Sequence, residues 1–279
     1  MPIKRNFSAR TDLATLPEIT NSLGAHLAAK LQEFASDERT LTDEFCDMTC
    51  IWASSSNASN LRTPPSGITA RLEIEKVSTQ REAQIGADLE LIVLSPHGEQ
   101  KRLLAQAKVL DPQTHKLRCD HTQGWTKLKE ELEKCRNDAG DLAYLLVYVP
   151  EQELNGRRYT FGTWEQGQSS GSASSHKDSS FGATFIDVNS LLDANNDWIN
   201  DPPVTYSTQT KTFTPPGIDF TSLLTNLFSC GIGAWETVPP PDTPRRDREP
   251  YRSLRVAVTE MEEASWSDQA VPFFRGFTG

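Results

Sequence analysis

Three polar residues, Asp88, Gln106 and Lys108, interrupt two apolar stretches of the chain, "GADLELIVL" and "RLLAQAKVL". A carboxylate and a nearby acceptor oxygen suit a hard cation such as Mg²⁺, which takes oxygen ligands and keeps several waters. A lysine beside that cation can hold the attacking water or stabilise charge that develops on a phosphate. If folding brings the three residues together, their types therefore predict magnesium-dependent chemistry at a phosphate.

The two stretches read as the strands of a hairpin over residues 88–110, joined by the turn "SPHGE". Because side chains alternate across a strand, Gln106 and Lys108 point to the same face. A turn centred near residue 97 or 98 pairs Asp88 with Gln106 or with Lys108, and both registers remain open at this point. The hairpin therefore predicts that the three polar side chains converge at one end of a sheet.

A second carboxylate is needed to complete a metal site, and the sequence offers two candidates. Glu82 lies six residues before Asp88 in the same connection. Glu44 lies on a second predicted helix and reaches the site only if that helix packs over the end of the sheet. We expect one of these two glutamates to join Asp88 and Gln106 as a metal ligand.

The elements that must position these residues follow from hydrophobic periodicity. The patterns predict helices over 18–34, 39–53 and 121–137, and strands over 68–77 and 141–150 around the hairpin. Thr40 or Thr42 is the expected cap of the second helix. The order α-α-β-β-β-α-β predicts an α/β fold with a mixed sheet.

The chain divides into two expected parts. Residues 1–150 form the α/β core with its N-terminal helices, and residues 151–279 form a loop-rich extension packed on that core. The extension contains a Ser/Gly-rich loop, a short helix around 218–229, a proline-rich loop and a late strand, "LRVAVTEM". The sequence predicts no function for this second part.

Net charge is −10, which on average disfavours nucleic acid. Residues 100–136 depart from that average, because they hold nine lysines and arginines against five acids. This segment predicts a surface that binds phosphates, although ordinary solvated helix charge explains it equally well. The nucleic-acid-binding candidates within it are Lys101, Arg102, Lys116, Arg118 and Lys127.

Location and redox state follow from what the sequence lacks. No run of 18 or more apolar residues is present, so we expect no membrane span and no membrane partner. The N-terminus "MPIKRNFSARTD" has no apolar segment behind its basic residues, so a cytoplasmic protein is predicted. Five cysteines at irregular spacing argue against a disulfide framework.

The pattern of an acid, then "GAD", a hairpin and "QAK" resembles the PD-(D/E)xK nuclease superfamily, in its Gln-x-Lys variant. The resemblance covers about residues 40–150. The same pattern also looks like that of several uncharacterised bacterial families, some of them encoded near antiphage systems. It implies a restriction-endonuclease-like core with the order α-β-β-β-α-β and an Mg²⁺- or Mn²⁺-dependent endonuclease. In such an enzyme Asp88 and Gln106 bind the metal and Lys108 serves the water. A homodimer that cuts two strands and a regulatory protein partner are further expectations.

Two alternatives stand beside this interpretation. Lys108 could extend from an edge strand into solvent while Asp88 caps the turn "IGAD", with no chemistry involved. The fold could also persist without activity, as a module that binds protein or nucleic acid. "GAD" replaces the family's "PD", and the uncharged Gln106 stands where the family commonly has an acid, which weakens metal binding unless a second carboxylate contributes.

Overall fold

A mixed β-sheet with helices on both faces organises the described part of the protein. The structure is a computed structural model, and it describes residues 8–12, 16–60, 69–95, 99–119, 124–154, 157–160, 163–166, 182–194, 198, 202–228, 232–237 and 252–257. Within these ranges no helix is both long enough and apolar enough to cross a membrane. The Ser/Gly-rich loop and the proline-rich loop fall almost entirely outside the described residues.

The helices are α1 (Leu16–Phe34), α2 (Glu38–Asn60), α3 (Thr79–Ile85), α4 (Gly124–Ala139), α5 (Val188–Leu192) and α6 (Phe220–Phe228). Short 3₁₀ turns span Gly140–Leu142 and Glu151–Glu153. The strands are β1 (Ser8–Asp12), β2 (Thr69–Lys76), β3 (Leu89–Leu94), β4 (Glu99–Val109), β5 (Ala143–Tyr148), β6 (Arg157–Thr160), β7 (Thr163–Gln166), β8 (Ala183–Asp187), β9 (Thr205–Ser207), β10 (Thr212–Thr214), β11 (Ile218–Asp219), β12 (Glu236–Thr237) and β13 (Arg252–Ala257).

The main sheet has the strand order β1-β13-β2-β3-β4-β5-β8-β11, and β12 also pairs with β4. The pairs β4–β5 and β1–β13 are parallel, and the other pairs of this sheet are antiparallel. The predicted α/β class and mixed sheet are therefore confirmed. Four strands from the second half of the chain (β8, β11, β12 and β13) lie in the same sheet as the strands from the first half.

The two faces of β4 support separate hydrophobic cores, as the alternation predicts. Leu103, Ala105 and Val109 pack in a core that includes residues of α1, α2 and α6. Leu104 and Leu110 pack in the opposite core, where Leu128 and Leu132 of α4 contribute. Since these leucines are at most about 1% exposed, both faces are covered and β4 is a central strand.

The connection through α4 explains where the site forms. Because β4 and β5 are parallel, the chain must return along α4, so α4 begins at the end of the sheet where β4 finishes. At that same end β2 finishes with Lys76 and β3 begins with Leu89, since these residues pair with each other. The polar residues of the hairpin therefore meet the first turns of α4.

The helix nearest the site on the chain was missed from the sequence. The seven-residue α3 lies between β2 and β3, and it has no buried residue. Without an apolar face it has no helical periodicity to detect. It ends at Gly86, whose φ of +70° favours glycine.

Candidate active site

The hairpin brings Asp88 opposite Gln106. Leu89 pairs with Ala105, and the Asp88 backbone N–H donates to the Ala105 carbonyl over 3.0 Å. This is the first of the two predicted registers. The Asp88 carboxylate accepts a hydrogen bond from the Ala107 backbone N–H at 2.8 Å, so it is held against β4 and does not cap the turn before it.

Lys108 projects from β4 towards the start of α2. Its Nζ lies 3.1 Å from both carboxylate oxygens of Glu38, and its side chain is only 13% exposed. Because β4 is a central strand, the edge-strand explanation for Lys108 does not hold. The lysine is enclosed among carboxylates, which suits a functional amine better than a solvated surface charge.

Glu38 is the acid that the sequence interpretation missed. The predicted helix began at residue 39 with Thr40 or Thr42 as its cap. In the structure α2 begins at Glu38, and the Asp37 carboxylate accepts from the Thr40 backbone N–H at 2.7 Å. Asp37 is therefore the cap. An Asp directly before the helix was the signal that could have placed Glu38 in its first turn.

A cleft of about 360 Å³ surrounds these side chains. Its lining combines Gln106 with five acidic and five basic residues, together with apolar and small residues. The acidic residues are Asp37, Glu38, Glu82, Asp88 and Glu131, and the basic residues are Arg39, Lys76, Lys108, Arg118 and Lys127. A cleft that mixes both signs can hold a cation among its acids while its basic residues contact an anionic ligand.

Gln106 is the least satisfied group in the cleft. The residue is 1% exposed, and its Oε1 has no hydrogen-bond partner among the described residues. A buried amide oxygen without a partner costs about 1–3 kcal/mol, so such an atom in a native structure requires an explanation. A cation or a water held between Gln106 and the neighbouring carboxylates provides one.

Burial shapes the electrostatics of the site. Burial raises the pKa of Asp88 to about 6 against the opposing effect of Lys108, and Glu82 and Glu131 raise it further. Burial likewise raises the pKa of Glu38 to about 7, again opposed by Lys108. Burial alone would lower the pKa of Lys108, but the carboxylates outweigh it and the pKa is raised. Near neutral pH the cleft therefore pairs a protonated lysine with carboxyl groups that gain from a further cation.

Of the two glutamates proposed as metal ligands, the structure places one in the cleft and the other outside it. Glu82, on α3, lines the cleft close enough to Asp88 to influence its pKa. Glu44 lies on another side of α2, where it contacts Lys30 and its Oε2 is 3.1 Å from His26 Nε2. We therefore correct the assignment of Glu44 as a ligand, because α2 presents Glu38 to the cleft instead.

Two of the predicted nucleic-acid contacts are engaged inside the protein. Lys101 is 1% exposed, and its Nζ donates to the carbonyls of Leu227 at 3.0 Å and Ile232 at 2.7 Å. Its assignment to nucleic acid is therefore withdrawn. Arg102 donates to Glu90 and, at 2.6 Å, to Asp138, and it lies outside the lining of the cleft.

The other three basic candidates lie nearer the surface. Arg118 lines the cleft, and its Nε donates to Asp111 at 2.9 Å. Lys127 lines the cleft from α4 with its side chain 55% exposed, 3.3 Å from Glu131. Lys116 is exposed but lies outside the cleft lining. Arg118 and Lys127 are thus the two predicted contacts that border the site.

The donor set can be tested against a divalent metal. In the described ranges no group of three or more His, Cys, Asp or Glu residues is arranged to hold a metal ion. Two carboxylates and one amide oxygen fit Mg²⁺, which is commonly bound through one or two carboxylates and keeps several waters. They do not fit zinc, which prefers nitrogen and sulfur ligands.

Comparisons with known proteins do not assign this site. The sequence matches no protein-family model, and no curated protein gives a significant match. The functional assignment therefore depends on the residues of the cleft.

Proposed function

We propose that the protein is an Mg²⁺- or Mn²⁺-dependent nuclease that hydrolyses phosphodiester bonds. The observation that carries the proposal is the convergence of Asp88, Lys108 and Gln106 in one cleft, where the buried Oε1 of Gln106 has no hydrogen-bond partner among the residues that the structure describes. Glu38 adds a second carboxylate 3.1 Å from the lysine. An acid, an amide oxygen and a lysine on adjoining strands suit hydrolysis at a phosphate.

Asp88, Gln106 and Glu38 or Glu82 would hold the metal, which supplies Lewis-acid polarisation of the scissile phosphate when bound. Lys108 keeps its proton at neutral pH because its pKa is raised. It therefore acts as a hydrogen-bond donor to the water or to the phosphate oxygen, and not as the base. In the structure the Glu38 carboxylate accepts hydrogen bonds from this amine, and it would keep the Lys108 side chain directed into the cleft.

Nucleic acid is the proposed substrate, and DNA is favoured over RNA on the resemblance. Arg118 and Lys127 both line the cleft, which supports phosphate contacts near the cleaved bond. Binding should weaken with salt because each phosphate contact releases counterions. The order α2-β2-β3-β4-α4-β5, with α3 inserted, supports a restriction-endonuclease-like core as part of the same proposal.

The test is cleavage of supercoiled plasmid, circular single-stranded DNA and RNA with Mg²⁺ or Mn²⁺. Asp88→Asn and Lys108→Met should each lower the rate on the order of 10²-fold or more. Lys129→Met is the matched control, because Lys129 lies on α4 in an exposed pair with Glu133 outside the cleft. Equal cleavage by the wild type and both site variants would refute the site assignment.

The failure of every substrate to be cleaved would favour the alternative, a nuclease fold kept for binding. Retention of labelled DNA or RNA on filters, followed across salt concentrations, then shows whether the protein binds nucleic acid at all. A role in bacterial antiphage defence belongs to the proposal through the resemblance alone. Phage plating on cells that express the wild type or Asp88→Asn tests that role.

A further inference from the structure

A chain of buried hydroxyl groups connects the sheet to the first turn of α2. Tyr148 of β5 is fully buried, and its hydroxyl donates to Thr42 Oγ1 over 3.0 Å. Thr42 is 1% exposed, and its hydroxyl donates in turn to the Glu38 carbonyl at 2.9 Å. The backbone that carries the Glu38 carboxylate is thus tied to a central strand.

These hydrogen bonds connect the sheet layer, through β5, to the helix layer, through α2. Tyr148 is opposite Val109 in the register of β4 and β5, one residue beyond Lys108. The strand that supplies the lysine and the strand that supplies the tyrosine are therefore hydrogen-bonded neighbours. A helix end frays readily because its first turn lacks the full set of backbone hydrogen bonds. A contact from the sheet to this turn limits where Glu38 can lie relative to Lys108.

A second contact on the outer side of α2 completes the attachment. Lys76 at the end of β2 donates to Asp43 at 2.6 Å and to the Arg39 carbonyl at 3.3 Å. This contact is more exposed, with the Asp43 side chain 52% accessible, so solvent and salt weaken it. Tyr148 supplies the buried, unscreened contact.

We propose that Tyr148 is a positioning residue: through Thr42 it fixes the first turn of α2, so that the Glu38 carboxylate is held at the metal site. The inference rests on the proposed nuclease function and adds a residue that does not itself line the cleft. Groups that orient metal ligands typically change metal affinity by 10- to 100-fold when removed. Tyr148→Phe removes only the hydroxyl and retains the packed ring.

The chain contains a matched control for this role. Thr49, two turns further along α2, is also 1% exposed and donates its hydroxyl to the Phe45 carbonyl at 2.6 Å. It makes the same bond to the carbonyl four residues earlier as Thr42, but far from the first turn. Thr49→Val therefore reproduces the loss of a buried hydroxyl without releasing Glu38.

The experiment measures Mg²⁺ binding to the full chain by calorimetry without nucleic acid, together with plasmid cleavage at varied Mg²⁺ and DNA. Tyr148→Phe and Thr42→Val should raise the Mg²⁺ Kd about tenfold. They should lower kcat at limiting Mg²⁺ while leaving KM for DNA unchanged. Thr42→Ser, which keeps a hydroxyl, should restore most of the affinity, and Thr49→Val should retain the wild-type Kd.

Urea unfolding of the same variants separates positioning from simple stabilisation. If Tyr148→Phe and Thr49→Val have the same Mg²⁺ Kd, the positioning role is overturned even when both are destabilised. A wild-type protein that neither binds Mg²⁺ nor cleaves would overturn the proposed function, and this inference with it. The two failures are distinguishable, because the first requires an active, metal-binding wild type.

Discussion

Replacing Gln106 by glutamate should lower the stability of the metal-free protein and raise its affinity for Mg²⁺. Gln106→Glu is nearly isosteric and adds one negative charge at a position that is 1% exposed. The new carboxyl group would lie with Asp88 and Glu38 in one cleft. Without a metal it suffers both burial and repulsion, whereas with Mg²⁺ it becomes a charged ligand.

The expected loss of stability can be worked out from the neighbouring carboxyl group, Asp88. Burial already raises the pKa of Asp88 from 3.8 to about 6, which is about 3 kcal/mol at about 1.4 kcal/mol per pKa unit. A more deeply buried carboxyl at position 106 should cost about as much when it ionises. Because its pKa in the folded protein is raised, stability is retained at low pH and lost as pH rises through that pKa.

The assay is urea unfolding at about pH 4, just below the pKa of an unfolded glutamate, and at about pH 8, with and without Mg²⁺. We expect Gln106→Glu to be about 3 kcal/mol less stable than the wild type at the higher pH without metal, and nearly equal at the lower pH. Mg²⁺ should bind it at least about tenfold more tightly, which returns about 1.4 kcal/mol at saturating metal. Gln84→Glu, at an exposed position of α3, controls for added charge.

The result that would refute this reasoning is a Gln106→Glu variant as stable as the wild type at the higher pH and no tighter for Mg²⁺. The side chain at position 106 would then not face an anionic cleft that admits a cation. If the variant loses stability but gains no Mg²⁺ affinity, the conclusion that position 106 is buried among carboxylates stands, and the proposal that a metal binds there is refuted.

Three further predictions concern the same region. The metal-free wild type should lose about 5 kcal/mol of unfolding free energy between about pH 4 and pH 7, measured by urea unfolding. Folding raises the pKa values of both Asp88 and Glu38, so the folded state binds more protons than the unfolded state in this range; saturating Mg²⁺ should flatten the slope. Glu90→Gln should lower the free energy of unfolding, measured by chemical denaturation, by about 3–5 kcal/mol. Glu90 is 1% exposed and accepts hydrogen bonds from Arg81 and Arg102, which would both lose this anion; a decrease below about 1 kcal/mol would contradict the prediction. Gly86→Ala should cost about 2–4 kcal/mol in thermal unfolding, since φ is +70° and a Cβ would lie 2.1 Å from the Glu131 carbonyl oxygen; an unchanged Tm would show that α3 and α4 separate freely.

The local features of the site could be predicted from the sequence. Alternation placed Gln106 and Lys108 on one face, and the length of the turn limited the partner of Asp88 to two positions. These relations depend on the two-residue period of a strand and on a short connection, both of which are properties of neighbouring residues. The helices α1, α2 and α4 and the strands β2 and β5 followed from their periodic apolar positions in the same way, whereas α3 has no such period.

What the sequence could not decide are contacts between residues far apart in the chain. Glu38 and Lys108 are 70 residues apart, and they meet only because α2 packs with its first turn at the end of the sheet. Lys101 carries the charge of a surface residue, yet its partners are carbonyls more than 120 residues away, so nothing near it in sequence predicts its burial. Alternation specifies a face, but only tertiary packing determines what covers that face and which carboxylates complete the cleft.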